Sequence, residues 1–128
     1  MPNWVTNEIS FNFDMSHEKD RFMKLVTSDD NLFDFNNIVP MPEDLVKSVL
    51  GTRDWCSENW GTKWNSCNTT VDWDDDEDAG FIFDTAWSAP TPIAVKLKRM
   101  FKGISFRWFY RDEGDMFCGY LDDDIGGF

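Results

Sequence analysis

The stretch from Gly80 to Arg111 constrains the fold more than any other part of the chain. Gly80-Phe81-Ile82-Phe83-Asp84-Thr85-Ala86-Trp87 reads as a hydrophobic strand, and Ser88-Ala89-Pro90 turns out of it. Thr91 is placed to cap the helix that follows, and Pro92 occupies its first position, where a missing N–H costs nothing. Ile93, Ala94, Leu97, Met100 and Phe101 recur at helical spacing and form one apolar stripe. Lys96, Lys98, Arg99 and Lys102 gather toward the C-terminal end, where cations complement the helix dipole. Gly103 closes the helix, and Ile104 to Arg111 form a second strand. Such a strand–helix–strand unit sets its two strands parallel, with the helix on one face of the sheet.

The first half of the chain carries a similar start. Ile9, Phe11 and Phe13 alternate with Ser10, Asn12 and Asp14, the pattern of a strand with one apolar face. Ser16 is the expected N-cap of a helix running to about Thr27, with Phe22, Met23, Leu25 and Val26 as its stripe. Leu32 to Val39 fits neither period and is expected to be an ordered loop, followed by a short helix from Glu43 to Leu50 that Gly51 ends. Gly51 to Asn68 holds Trp55, Trp60 and Trp64 and suggests irregular backbone with one helical turn. Asn68 to Trp73 reads as a strand, with Val71 and Trp73 facing one way and Thr70 and Asp72 the other. Asp74-Asp75-Asp76-Glu77-Asp78 must be an exposed hairpin loop, because adjacent carboxylates cannot be buried unpaired. Asp112 to Asp115 turns the chain, and Met116 to Leu121 adds a short edge strand before a polar tail from Asp122 to Phe128.

Taken in order, these elements predict an α+β chain of the ferredoxin-like, split βαβ type, a two-layer sandwich in one domain spanning 1–128. A Trp-rich insertion, about residues 28–67, separates the first helix from the second strand. The two long helices are expected on one face of an antiparallel sheet, with the insertion on the other face or at its edge, where its aromatics would cover apolar surface.

Charge restricts the partners. With 24 acidic and 12 basic side chains the net charge is −12. That disfavours phosphate backbones and anionic membrane surfaces, and favours a basic partner. Hydrophobic residues at 41% and an aromatic share of 16% are enough for a real core. No run is long enough to span a membrane. The first residues lack a basic stretch followed by an apolar one, so no secretory signal is expected. Cys56, Cys67 and Cys118 are too few and too scattered for a disulfide framework, and free thiols in a reducing, cytoplasmic compartment are expected.

Several motifs in one order resemble a known group. They are Met1-Pro2-Asn3-Trp4 with Asn7, Asn59-Trp60-Gly61-Thr62-Lys63-Trp64, Phe83-Asp84-Thr85-Ala86-Trp87-Ser88 with Pro90 and Pro92, and Tyr110-Arg111-Asp112-Glu113-Gly114 with Gly119. Together they are similar to the Api92-like family with a ferredoxin-like domain, found in bacteriophages, plasmids and other mobile elements. Many members begin Met-Pro-Asn-Trp-Cys, whereas this chain has Val5, so no role for that cysteine carries over. The resemblance implies the fold and a bacterial host cell, and brings no settled activity or site.

No residue set commits the chain to catalysis, a cofactor or a metal. Starting at Asp74, a calcium loop would need Gly where Ala79 stands and Glu where Thr85 stands. Cys56 and Cys67 have no spaced pair to complete a zinc site. His17 is the single histidine and leaves no base to activate a cysteine. Asp84, central in a hydrophobic strand, is the one acid on which a carboxylate-dependent hydrolase could rest. It is more simply a structural acceptor for Lys63, backbone or indole N–H groups. The acids cluster instead of spreading, in Asp74, Asp75, Asp76, Glu77 and Asp78, extended by Asp72, and in Asp122, Asp123 and Asp124. The expectation is a non-enzymatic protein that binds a basic host or mobile-element protein through these acids, as an inhibitor mimicking nucleic-acid charge. The alternative is single-stranded nucleic acid stacked on sheet aromatics and held by Lys96, Lys98, Arg99 and Lys102.

Overall fold

The computed structural model describes residues 3–46, 51–114 and 116–122, with backbone alone for Val46, Arg53 and Asp122. Strand β1 (Trp4–Asn12) starts earlier than Ile9. Its odd residues Val5, Asn7, Ile9 and Phe11 are all buried, whereas Glu8 and Asn12 are exposed. After α1 (Ser16–Val26), short helices α2 (Phe35–Ile38), α3 (Glu43–Val46) and α4 (Arg53–Asn59) lead to β2 (Cys67–Asp74). The rest is β3 (Asp78–Ala86), α5 (Thr91–Met100), β4 (Ser105–Asp112) and β5 (Cys118–Asp122). The sheet order is β2-β3-β1-β4-β5. β1 pairs antiparallel with both β3 and β4, so β3 and β4 run parallel with β1 between them, as the strand–helix–strand unit requires.

The register fixes one core face. Ile9 stands opposite Phe81 and Trp108, and Phe11 opposite Ala79 and Phe106. Phe22 and Val26 of α1, and Ile93, Ala94 and Leu97 of α5, close over it. The insertion does not lie on the opposite face, as the sequence suggested. Phe33 sits 4.9 Å from Phe81 and 5.0 Å from Phe83, ring to ring, and Phe35 packs on Phe83. Its helix α2 touches both α1 and α5. The insertion therefore fills the helix layer. The two helices α1 and α5, of 11 and 10 residues, cannot cover the width of five strands, and apolar rings fill the gap that remains. Trp60 is buried on Phe35, Trp55 packs edge-on against Trp60, and Trp64 is 38% exposed beside Trp4.

Smaller expectations also change. Neither Ser16 nor Thr91 is a cap; each is the first helical residue, behind Met15 and Pro90. The 32–39 segment contains the α2 turn, capped by the Asp34 carboxylate accepting from the Asn36 N–H at 2.9 Å. The helix expected over 43–50 is present at Glu43–Val46, and its remainder lies outside the described residues, as does the tail beyond Asp122.

The polar residues of the family-like motifs knit one end of the sheet. Asn7 accepts from the Trp108 indole N–H at 2.9 Å and donates to the Thr85 hydroxyl at 3.0 Å. Thr62 donates its hydroxyl to the Ala86 carbonyl and accepts from the Ala86 N–H, extending β3 with a side chain. Gly61 has φ +79, and a Cβ there would lie 2.6 Å from Pro92. Asp112 is buried, holding Asn3 and the N–H groups of Gly114 and Met116 across the β4–β5 turn.

Candidate interaction surface

Helices and insertion share one layer, and among the described residues nothing covers the other face of the sheet. Strand alternation puts Thr6, Glu8 and Ser10 of β1 there, beside Gly80, Ile82 and Asp84 of β3 and Arg107, Phe109 and Arg111 of β4. Phe109 is directly opposite Tyr120, with ring centroids 5.1 Å apart. A trough of about 430 Å³ crosses this face, with Trp73 on one side and Phe109 and Tyr120 on the other.

Trp73 reaches this face because β2 is irregular. Val71 pairs with Phe81 and packs toward the core, then the register shifts and Trp73 pairs with Gly80. The bulge turns Trp73 away from the side Val71 faces, contrary to simple alternation. Gly80 is what allows the indole to lie down, since a Cβ there would collide with the ring. That glycine inside a hydrophobic strand was the one sequence signal of a bulge or a close approach.

The acids are placed as follows. Asp75 donates its N–H to the Asp78 carbonyl at 2.8 Å and closes the β2–β3 turn. Asp74 is bonded to the ammonium of buried Lys19, whose pKa that hydrogen bond raises. Asp78 is half-buried and accepts from the Asn12 side chain. Asp75, Asp76 and Glu77 are exposed at the tip, and Asp72 is exposed before them. The register Asn12–Asp78, Asn12–Ser105 and Arg107–Asp122 sets the hairpin and the end of β5 at the same end of the sheet. Asp122 thus shares that end with the hairpin acids, while Asp123 and Asp124 lie outside the described residues.

Other candidate groups are engaged or apart. Asp84 accepts from the Thr6 hydroxyl at 3.2 Å and the Asn68 amide at 3.0 Å, not from Lys63 or an indole. Lys63 sits 4.8 Å over the Trp87 ring instead. Burial pushes the Cys56 and Cys67 thiols up, which reduces the thiolate population at neutral pH. His17 is exposed, 3.8 Å from Glu18. Among the described residues no three or more His, Cys, Asp or Glu side chains converge as metal ligands. The cations of α5 belong to the helix layer, where Lys98 donates to the Ile104 carbonyl at 2.8 Å. They do not share a surface with the aromatics of the bare face. Among the described residues no helix is long and apolar enough to cross a membrane.

Fold and surface together define a ferredoxin-like α+β domain with one sheet face left uncovered by the described residues and an acidic hairpin at its end. The model of the ferredoxin-like domain in Api92-like protein matches residues 59–126, more than half of the chain, and the chain belongs to that family. It is similar in fold to the crystal structure of a protein api92 from Yersinia pseudotuberculosis, at TM-score 0.58 and 20% identity over 72% of this chain. The chain spans 36% of that protein's length. No curated protein matches.

Proposed function

We propose that this is a non-catalytic, cytoplasmic protein of a mobile element that binds a basic protein of its bacterial host or of the element itself. The acidic end of the sheet would make the contact. The observation that carries this is the register: it gathers the hairpin tip and the end of β5 at one end of a rigid sheet. Three hairpin acids, Asp75, Asp76 and Glu77, are exposed there without ion pairs among the described residues. Carboxylates so fixed stand in for phosphates, and a protein that handles nucleic acid has the complementary groove. Inhibition by charge mimicry follows, with association steered by the net charge of −12.

The test is a comparison of two variants against the partner recovered from host cells. Neutralising Asp75, Asp76 and Glu77 to Asn, Asn and Gln should weaken binding, and the parent's affinity should fall as salt rises. Neutralising Lys96, Lys98, Arg99 and Lys102 should leave protein binding intact. Unchanged affinity in the hairpin variant would remove the acids from the interface.

A second reading has its own observation. Arg107, Phe109 and Arg111 alternate along β4 on the bare face, with Tyr120 against Phe109. A cation–aromatic–cation row suits single-stranded nucleic acid. Salt-sensitive binding of an oligonucleotide, lost on Phe109→Ala, would favour it.

A further inference from the structure

We propose that Trp73 anchors a lysine or arginine side chain of the basic partner, seated in the trough of the bare sheet face. This rests on the function proposed above and names the recognition chemistry at its centre. The indole lies flat on Gly80, so one ring face is taken up by the sheet and the other is turned outward, with the residue 37% exposed. A Trp ring face is the best aromatic surface for a cation. Glu8 and Asp72 line the same trough, and neither carboxylate has a hydrogen-bond or ion-pair partner among the described residues. Arg107 is the cation that lines it, and it belongs to β4, two strands beyond Gly80, in register with Asp122. The exposed acids Asp75, Asp76 and Glu77 follow Trp73 and Asp74 in the chain and place further negative charge at that side of the trough.

The charge balance selects the ligand. A phosphate entering the trough would meet two unpaired carboxylates against the single cation Arg107, whereas a side-chain cation would gain both the indole face and those carboxylates. A peptide cation also brings backbone that can reach the hairpin, so one partner segment engages both features. Trp73 then acts as a central aromatic anchor, with the acids as its charged surround.

The probe is a synthetic ten-residue peptide of alternating lysine and glycine, compared with its lysine-acetylated form and with oligothymidine. Binding is read from the Trp73 indole N–H resonance and by calorimetry. The lysine peptide is expected to shift that resonance, and the acetylated form is not. Trp73→Leu keeps apolar bulk but removes the ring, and should weaken binding about tenfold with little change in melting temperature. Lysine-peptide binding that leaves the Trp73 resonance unmoved in the parent protein would overturn the assignment, with no variant needed. So would full affinity in Trp73→Leu, or a Trp73 shift with oligothymidine and none with the peptide. The two levels separate cleanly. Loss of affinity in the Asp75, Asp76 and Glu77 variant with full affinity in Trp73→Leu keeps the acidic interface and removes the anchor. The reverse pattern keeps the anchor and removes the hairpin.

Discussion

Replacing Phe33 by Ala tests whether the insertion is part of the core. Phe33 is fully buried, and its ring meets Phe81 at 4.9 Å, Phe83 at 5.0 Å, Phe11 at 6.2 Å and Trp108 at 6.3 Å. It touches three strands of the sheet and Phe22 of α1, so its loss leaves a cavity that no single neighbour can fill. Burial of this kind predicts a cost of about 3–5 kcal/mol. Against a total stability of roughly 5–15 kcal/mol, that is a large share. For a domain of this size the melting temperature should fall by roughly 10–20 °C. Urea titration checks it: the midpoint should drop while the slope stays unchanged, because the surface exposed on unfolding is nearly the same. Phe33→Leu should recover much of the loss by refilling volume. A cost below about 1 kcal/mol for Phe33→Ala would refute the placement of the insertion in the helix layer.

The two neighbouring tryptophans should behave differently. Trp60→Ala, from a site 4% exposed, should cost about 3–5 kcal/mol, and Trp64→Ala, at 38% exposed, clearly less, both read by thermal melts. Asn7→Ala should cost about 1–3 kcal/mol by urea titration, since it strands the Trp108 indole N–H in a dry core, while the Thr85 hydroxyl keeps its bond to the Ser88 carbonyl. Lys19 adds a pH dependence of known sign. Its pKa is raised above the ordinary 10.5, chiefly by the hydrogen bond to Asp74. The folded state therefore holds the proton more tightly, so this contribution is full below the ordinary value and is lost as pH rises through the folded one. Lys19→Met should flatten the alkaline limb of a stability–pH profile and leave its shape at neutral pH unchanged.

Regular periodicity made most of the scaffold legible. The alternation around Ile9 and Phe11, the stripe of Ile93, Ala94 and Leu97, and the length of the 80–111 unit carry the split βαβ order directly. Even Asn7 was on the core parity of β1, two residues before Ile9. What was not legible depended on tertiary choice. Phe33 and Phe35 have no period of their own, and the gap between α1 and α5 decides which face they cover. The β2 bulge reverses Trp73 relative to Val71, and only Gly80 hinted at it. The acid run was legible as an exposed turn. That Lys19 and Asn12 take up Asp74 and Asp78, leaving the middle three acids exposed, came from long-range contacts that local pattern does not encode.

The most direct measurement is amide and indole resonance mapping of the complex with the basic partner recovered from host cells. Binding at the acidic end predicts the largest changes at Asp75, Asp76, Glu77 and Asp78, together with the Trp73 indole, and little change along α5. Changes confined to α5 and the helix layer, with the hairpin and Trp73 unmoved, would contradict it.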